Sequence, residues 1–371
     1  MSSHLYLLLP GDPETPTGGY LYDRRIADGL RQLGWRVDLV RLGDRFPAPT
    51  AADLADAAAK LAMIPDDALV MIDGLALGAM PDQVAKEHGR LRLVGLIHHP
   101  LSLETGLPPA RAATLRIMET AALSVMRRVI VTSPTTARLL RDFGVDRNRC
   151  HIVEPGTEPA PLAAGSGGQP TRLLCVGTIT PRKGHRLLID ALATLRHLDW
   201  QLDCIGSLNR HPDTTAALRR QIDAAGLQTR VRLLGAVAAE ALSAAYLRAD
   251  IFVLPSLFEG YGMAYAEALA RGLPIIGTTA GAIPETVPTD AGLLVEPGSI
   301  PSLVDALEHL LTNSAARHRL AAGARRARAR LSDWPTACRR LAKALSDRCP
   351  ARSNDGTTGE ASTGAFVANR C

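Results

Sequence analysis

The chain has 371 residues, of which 46% are hydrophobic and 21% are charged, and its formal net charge is +5. This balance is ordinary for a globular protein, and the length predicts two domains of about 150 residues each. Aromatic residues make up only 4% of the chain, which argues against a nucleic-acid-binding surface. No apolar run reaches the ~18 residues of a membrane-spanning helix. The apolar start, residues 4–9, is too short for a signal-peptide core.

The first half of the chain alternates strand-like and helix-like segments. In chain order we predict a strand over 5–9, a helix over 20–33, a strand over 36–42, a helix over 51–62, strands over 68–72 and 91–98, a helix over 109–126 and a strand over 128–132. Repeated strand–helix units predict an α/β protein with a parallel, doubly wound sheet.

The periodicity is lost between residues 158 and 171, where small residues, Gly and Pro indicate a linker. The alternation then resumes, with strands predicted over 172–176, 201–205, 231–234, 251–254 and 274–278 and helices over 185–195, 213–225, 239–248 and 264–272. We therefore predict one Rossmann-like domain over 1–165 and a second over 171–330, followed by helices to about 347. Residues 349–371 show no pattern and predict a disordered tail.

The cysteines form no C-x-x-C pair and no metal-ligand spacing; they stand at positions 150, 175, 204, 338, 349 and 371. Cys175 and Cys204 occur inside strand-like runs, as small buried hydrophobic residues do. The pattern favours a reducing, cytoplasmic setting and predicts no metal site.

Basic residues crowd the C-terminal helices: Arg317, Arg319, Arg325, Arg326, Arg328, Arg330, Arg339, Arg340 and Lys343. The first interpretation is a set of solvated helix faces. The alternative is peripheral contact with the anionic inner face of a membrane or with an acidic partner.

The most informative motif covers residues 255–267. It places Glu259 and Glu267 eight residues apart, on either side of the Gly260-Tyr261-Gly262 turn. An apolar strand precedes the turn and a helical run follows, which is how an α/β protein builds a site for an anionic group. Carboxylates bind hydroxyls and backbone N–H groups bind phosphate, so the motif predicts a sugar-nucleotide site.

A second motif, over 175–184, runs from a strand through a glycine loop into two adjacent cations, Arg182 and Lys183. Arg grips phosphate with two hydrogen bonds and Lys acts as a point charge, so the pair could neutralise a diphosphate. Solvated cations in an exposed turn are the plain alternative.

Two further motifs lie in the first half. His98 and His99 follow an apolar strand, at the carboxyl end where open sheets bind ligands, and Glu104 stands in the same loop. Gly18 and Gly19 end the loop after the first strand, where they let backbone come close to a ligand. A structural histidine and an ordinary turn are the plain interpretations of these motifs.

Taken together and in this order, the motifs resemble those of the retaining glycosyltransferases of family 4. Residues 255–267 resemble the family's Glu-x7-Glu signature, and residues 175–184 resemble its Gly-Arg…Lys-Gly motif, with Thr178 in place of the first arginine. Residues 281–285 resemble its Gly-Gly-x-Pro-Glu loop, beginning at Gly281. Val237 falls where the family's backbone contacts the nucleobase. The resemblance is strong over 172–345 and loose over 5–160.

The resemblance implies the GT-B fold, in which two Rossmann-like domains face a cleft and a C-terminal helix, here 334–346, packs back onto the first domain. It implies a nucleotide-sugar donor in the second domain, an acceptor held mainly by the first, and transfer with retention by a same-face route. It implies neither a metal ion nor another cofactor, and no enzymic nucleophile.

The resemblance also assigns roles to individual residues. Glu259 would hold the sugar hydroxyls and Glu267 the ribose hydroxyls, and His98 would orient the sugar. Arg182, which stands in for the missing arginine, and Lys183 would stabilise the leaving diphosphate, together with N–H groups around 260–262. Gly18, Gly19, His99, Glu104 and Gly281 are the remaining substrate-binding candidates. Whether His98 or His99 faces the donor stays open.

The substrates also stay open: the donor is a UDP-, GDP- or ADP-sugar, and the acceptor is a glycan, a lipid or a small molecule. Three other classes compete with a transferase. One is a non-catalytic sugar-nucleotide or glycan-binding protein on the same fold. The others are a phosphorylase, which needs a cofactor lysine, and an NAD-dependent dehydrogenase, whose G-x-G-x-x-G fingerprint the chain lacks.

Overall fold

The computed structural model describes residues 3–168 and 170–347, so the tail predicted over 349–371 lies outside the described residues. Within those ranges the chain forms two six-stranded sheets, and every recorded strand pair is parallel. The predicted fold class, two Rossmann-like halves, is confirmed. No helix in the described part of the chain combines the length and the apolar character needed to cross a membrane.

The first sheet has the strand order β2-β1-β3-β4-β5-β6. Its strands are β1 (His4–Pro10), β2 (Arg36–Leu42), β3 (Leu69–Asp73), β4 (Arg92–Ile97), β5 (Arg128–Val131) and β6 (Cys150–Ile152). The helices of this half are α1 (Gly18–Gln32), α2 (Ala51–Ala62), α3 (Gly74–Leu77), α4 (Pro81–Glu87), α5 (Pro109–Ser124) and α6 (Pro134–Arg141).

The second sheet has the strand order β12-β11-β10-β7-β8-β9. Its strands are β7 (Thr171–Val176), β8 (Trp200–Ile205), β9 (Val231–Gly235), β10 (Ile251–Val253), β11 (Ile275–Thr278) and β12 (Gly292–Val295). Its helices are α7 (His185–Thr194), α8 (Pro212–Ala224), α9 (Ala239–Arg248), α10 (Met263–Ala270), α11 (Ile283–Thr286), α12 (Ile300–Thr312) and α13 (Ser314–Ala327), and the last helix of the described residues is α14 (Trp334–Ser346).

The central strands are largely apolar because helices cover both faces of each sheet; the exception in β3 is its last residue, Asp73. All five residues of β3 are buried, and all three of β10. Helix starts follow local capping chemistry: at α2 the Thr50 side chain accepts from the backbone N–H of Asp53, and the Asp53 carboxylate accepts from the N–H of Thr50. The core of each half therefore fixes the carboxyl ends of its strands, where the candidate residues lie.

Helix α14 returns to the first half of the molecule and packs against α1. The rings of Tyr22 and Trp334 meet edge-on with centroids 6.0 Å apart. A Cβ placed on Gly29 would lie 2.1 Å from the sulfur of Cys338, so only glycine lets the two helices come this close. The Arg128 side chain donates to the Ala344 carbonyl and ties the end of α14 to β5.

The elements absent from the prediction are short ones. They are β6, β12 and the helices α3, α4, α6 and α11, which have between three and eight residues. A helix of eight residues or fewer shows too few repeats of its apolar face to be recognised from periodicity. These elements do not alter the sheet order, so the fold prediction survives their omission.

Candidate active site

Most candidate residues lie on loops at the carboxyl ends of strands, and the loops of the two sheets meet; Gly18, Gly19 and Glu267 lie in helices. Gly260, in the loop after β10, packs so closely on the loop after β4 that a Cβ there would lie 2.0 Å from the His98 carbonyl oxygen. The ring of His99 packs against that of Phe258 in a tilted arrangement, with centroids 4.4 Å apart. The two halves therefore face each other across one cleft, and the loops that follow the strands of both sheets line this cleft.

Glu259 is the centre of a buried ion cluster in this cleft. Glu259 as a whole is 6% exposed. Its Oε1 accepts hydrogen bonds from Lys183 Nζ at 2.6 Å and from Ser256 Oγ at 2.6 Å. Burial alone would raise the pKa of Glu259, but the charges of the two neighbouring cations outweigh burial and lower that pKa to about 2. Glu259 is thus an anion throughout the physiological range.

Arg182 completes the cluster and links it to the first half. Its guanidinium donates to the Phe258 carbonyl at 2.8 Å and to Glu259 Oε2 at 3.4 Å. Its Nε lies 3.1 Å from Glu104 Oε1, an ion pair that crosses the cleft. Burial acts to lower the pKa of Arg182, but the two carboxylates outweigh burial and raise it. Glu104, predicted as an acceptor-side residue, therefore lies against a donor-side cation.

A tight turn presents the two cations. Pro181–Lys183 form one turn of 3-10 helix, and Gly184 then takes the left-handed conformation with φ of 70°. A Cβ on Gly184 would lie 2.1 Å from the Pro255 carbonyl oxygen, so glycine is required both by its backbone angle and by its neighbour. Burial lowers the pKa of Lys183, and the charge of Glu259 opposes that effect.

The glycine turn after β10 brings backbone N–H groups to the same region. Gly262, with φ of 93°, precedes the first residue of α10. Gly281, with φ of 57°, packs against the loop that carries Glu259: a Cβ there would lie 2.3 Å from the Glu259 carbonyl oxygen. The same oxygen accepts a hydrogen bond from the Ala282 N–H at 2.9 Å. Tyr261 is partly buried, and its carbonyl accepts from Thr286 Oγ1 at 2.6 Å. Gly281 therefore fixes the loop that carries Glu259.

Glu267 lies in α10 and faces a different element from Glu259. The hydroxyl of Tyr246, in α9, donates to Glu267 Oε2 at 2.9 Å. Burial raises the pKa of Glu267. Val237, the candidate for nucleobase contact, follows the carboxyl end of β9 and packs partly buried against the core of the second half. Glu267 thus bonds to α9, and Val237 packs on the core of the second half.

His98 is held by two buried acids that the sequence prediction missed. Its Nε2 lies 3.1 Å from Asp23 Oδ1 and 3.5 Å from Asp73 Oδ2, and the two acids are 1% and 2% exposed. Burial acts to lower the pKa of His98, but the acids outweigh burial and raise it. Burial, and after it the charge of Asp23, raises the pKa of Asp73 to about 7.

A sequence signal for both acids exists. Asp23 occupies the apolar stripe of α1 together with Ile26, Ala27 and Leu30, where a charged residue needs a partner. Asp73 ends the apolar strand β3, at the ligand-binding edge of the sheet. The donor atoms of Asp23, Asp73 and His98 lie within 4.8 Å of one another, a spacing that could also hold a cation.

Gly18 and Gly19 lie at the start of α1, against both halves of the molecule. A Cβ on Gly19 would lie 3.6 Å from the His98 ring, and one on Gly18 would lie 3.6 Å from the sulfur of Met263. His99 lies on the other side of the loop from His98, beside Arg182; burial, followed by the charge of that cation, lowers the pKa of His99 to about 4. The two histidines thus have different neighbours: His98 lies beside Gly19, and His99 lies beside Arg182.

Comparison with known proteins gives matches along most of the chain. The family model described as "Glycosyl transferases group 1" matches residues 163–327, and the one described as "Glycosyltransferase Family 4" matches residues 73–160.

Two curated relatives align over most of their own length. The MMP alpha-(1->4)-mannosyltransferase of Mycolicibacterium hassiacum is 28% identical over 305 residues, which cover 78% of this chain and 72% of that protein. The GDP-mannose-dependent alpha-(1-6)-phosphatidylinositol monomannoside mannosyltransferase of Mycolicibacterium smegmatis is 28% identical over 365 residues, which cover 90% and 89%.

Among solved structures, the sucrose-phosphate synthase of Thermosynechococcus elongatus superposes with a TM-score of 0.78 at 22% identity. The superposition covers 92% of this chain and 98% of that one.

Proposed function

The chain belongs to the group 1 glycosyltransferases of family 4, which move a sugar from a nucleotide-sugar donor, and on that premise we propose a retaining transferase that needs no metal ion. The observation that carries this proposal is the buried cluster of Arg182, Lys183 and Glu259 at the carboxyl ends of β7 and β10. Two fixed cations beside a glycine turn offer the donor diphosphate the charge that a metal ion supplies elsewhere.

We assign the residues of the cleft as follows. Lys183, Arg182 and the N–H groups around Gly260 and Gly262 stabilise the negative charge that gathers on the diphosphate as the glycosidic bond breaks. Glu259 accepts hydrogen bonds from sugar hydroxyls and orients both cations. In the same-face route a donor phosphate oxygen takes the proton of the acceptor hydroxyl while the acceptor oxygen bonds to the anomeric carbon. That balance requires no side-chain nucleophile.

The remaining assignments concern orientation. His98, held through Nε2 by Asp23, orients the sugar from the first half, and Glu267 binds the ribose hydroxyls. Closure of the cleft around these groups excludes water and protects the donor from hydrolysis. The close contact of Gly260 with the His98 carbonyl supports a closed arrangement of this kind.

For the substrates we propose transfer of mannose from GDP-mannose to a hydroxyl of a glycan or lipid-linked glycan. The names of the two curated relatives support this choice, since both are mannosyltransferases and one is named as GDP-mannose-dependent. A UDP- or ADP-sugar is the competing donor.

The test is to incubate the protein with GDP-mannose, UDP-glucose or ADP-glucose and a panel of mannosides and lipid-linked glycans. The anomeric configuration of the product is then read by NMR. An α-linked product from an α-linked donor, formed equally with and without EDTA, is the expected result. A β-linked product would contradict retention, and activity lost in EDTA and restored by Mg²⁺ would contradict metal independence. Nucleotide binding without transfer or donor hydrolysis would favour the non-catalytic alternative.

We further propose that the protein works in the cytoplasm, with peripheral contact to the inner membrane face. The free state of the described cysteines supports a reducing setting. Some C-terminal arginines are already paired, such as Arg326 with Asp290 at 2.7 Å, so the unpaired members of the basic set would make the contact. At low salt, the protein should sediment with anionic liposomes and stay in the supernatant with neutral ones. An equal pelleted fraction with the two kinds of liposome would contradict membrane contact.

A further inference from the structure

Three side chains outside the transfer mechanism meet inside the second half of the molecule. The sulfur atoms of Cys175 and Cys204 and a ring nitrogen of His185 all lie within 4.8 Å of one another. Their residues are 0%, 2% and 2% exposed. Cys175 and Cys204 are an in-register pair on the neighbouring strands β7 and β8, so both side chains leave the same face of the sheet. His185, the first residue of α7, stands over them.

The histidine is the unusual member of this cluster. Within the described residues, neither ring nitrogen of His185 makes a hydrogen bond of good geometry although the residue is buried, and the Cys175 thiol is the polar group that faces the ring. Buried polar groups are normally hydrogen-bonded, so a buried imidazole without a good partner points to a missing ligand. Both cysteines are free thiols, so the histidine faces two sulfur atoms that are available as ligands.

We propose that Cys175, Cys204 and His185 form a binding site for a thiophilic d10 cation, Zn²⁺ or Cu⁺. Thiolate sulfur selects these ions and imidazole suits them as well. Zn–S bonds of about 2.3 Å and Zn–N bonds of about 2.0 Å place two ligands of one ion roughly 3.3–3.8 Å apart. Small rotations of the side chains therefore bring all three donors onto one ion.

A cavity gives the site an access route. His185 lines a cavity of about 370 Å³ whose wall also includes Thr180, Gly184 and Leu218. The lining includes His185 but neither cysteine, so an ion would reach the thiols past the imidazole. A tetrahedral Zn²⁺ site requires a fourth ligand, which a water molecule would supply.

The linear sequence gives no sign of this site because its ligands come from three separate elements rather than from one C-x-x-C turn. The site also connects both ends of the diphosphate loop: Cys175 precedes Gly177 by two residues, and His185 follows Lys183 by two. The inference itself does not rest on the proposed function, because metal content is measured without any sugar transfer.

The experiment uses the full chain, stripped of metal by a chelator under reducing, anaerobic conditions. Zn²⁺ or Cu⁺ is then added in the presence of a competing chelator, and the bound ion is counted by mass spectrometry. We expect about one ion per chain for the wild type and at least tenfold weaker binding for Cys204→Ser and His185→Gln. The controls Cys338→Ser, at a buried thiol elsewhere, and Cys371→Ser, at a thiol outside the described residues, should bind as the wild type does. The ion that resists the chelator identifies the natural occupant.

A second readout guards against loss of folding. Co²⁺ added to the stripped protein should produce a thiolate-to-cobalt charge-transfer absorption that Cys204→Ser loses and Cys338→Ser keeps. Should Cys204→Ser fail to fold, His185→Gln, at the cavity wall, decides the matter by the same two measurements. Equal ion binding in the wild type and His185→Gln, or no ion retained by the wild type, would overturn the proposal.

Discussion

Lys183 Nζ donates to Glu259 Oε1 at 2.6 Å, and this bond joins the loop after β7 to the loop after β10. Both partners are largely buried, with side-chain exposures of 17% and 7%. Breaking a buried ion pair by removing one partner costs about 3–5 kcal/mol because the other charge is left uncompensated. Effects on activity at this pair must therefore be separated from effects on folding.

Glu259→Gln should abolish most transfer while keeping the fold. The amide preserves the shape and can still accept from Ser256 and Lys183, but it lacks the charge that orients the cations. We expect kcat to fall by a factor of about 10²–10³, the loss typical of one electrostatic contact to the reacting groups. Far-UV circular dichroism and thermal unfolding should show a folded protein.

Two further variants serve as comparisons for Glu259→Gln. Glu240→Gln, at an exposed acid of α9, should keep full activity. Glu267→Gln should raise the donor KM more than it lowers kcat, because Glu267 is assigned to the ribose. Wild-type kcat in Glu259→Gln would remove Glu259 from the site.

Lys183→Met should slow transfer by orders of magnitude, since one such contact to developing charge is worth ~3 kcal/mol. Methionine keeps most of the volume of the buried stem, so the main loss is the charge. Donor binding, measured by calorimetry with the nucleoside diphosphate, should weaken as well. Lys86→Met, at an exposed position of α4, is the control. An unchanged rate in Lys183→Met would place the diphosphate elsewhere.

Glu285→Ala should open the cleft. Its carboxylate accepts from the backbone N–H and the hydroxyl of Thr135 at 3.1 and 2.8 Å and pairs with Arg138 at 2.6 Å, all across the two halves. Removing these bonds should increase the radius of gyration in small-angle scattering and raise the donor KM. Asp290→Ala removes an exposed ion pair within the second half and should leave the scattering unchanged. Identical curves for Glu285→Ala and wild type would show that this contact does not hold the halves together.

Asp73→Asn should raise the free energy of unfolding relative to wild type, and this advantage should grow as pH rises. The pKa of Asp73 is about 7 in the folded protein and 3.8 for an ordinary aspartate, as in the unfolded chain, so the folded chain binds more protons between these values. Stability therefore falls as pH rises from about 4 to about 7, and the amide removes that loss. Asparagine keeps the hydrogen bond to Leu75 N–H at the start of α3.

Urea unfolding at pH 5 and pH 8 checks this prediction. The advantage of Asp73→Asn over wild type should grow by about 1 kcal/mol or more, since one pKa unit corresponds to ~1.4 kcal/mol. Asp82→Asn, at an exposed acid of α4, should show no such trend. A constant difference between the two pH values would mean that Asp73 titrates normally.

The sequence alone predicted the fold because its signals are long and repeated. Apolar runs such as β1 and β4, separated by helical periods, define the parallel sheets, and the linker shows in composition. The glycine turn and the adjacent cations could be placed on loops because each follows an apolar strand. The roles assigned to these residues stay predictions that the variants above test.

What escaped prediction depends on contacts between distant segments. Asp23 reaches His98 only because α1 packs against the end of β4, and the two residues are 75 positions apart in the chain. The ion pair of Arg182 with Glu104 requires the two halves to meet, which no local pattern encodes. Periodicity finds elements, but it does not find which buried polar groups become partners.

The measurement that tests the central claim most directly is thermal unfolding of wild type and Lys183→Met with GDP-mannose, UDP-glucose, ADP-glucose and their nucleoside diphosphates. Ligand that binds the native state raises its stability by mass action. We expect one nucleotide family to raise the wild-type melting temperature and Lys183→Met to lose most of this shift. No shift from any of these ligands at millimolar concentration, or an equal shift in both proteins, would contradict a donor site at the Lys183–Glu259 cluster.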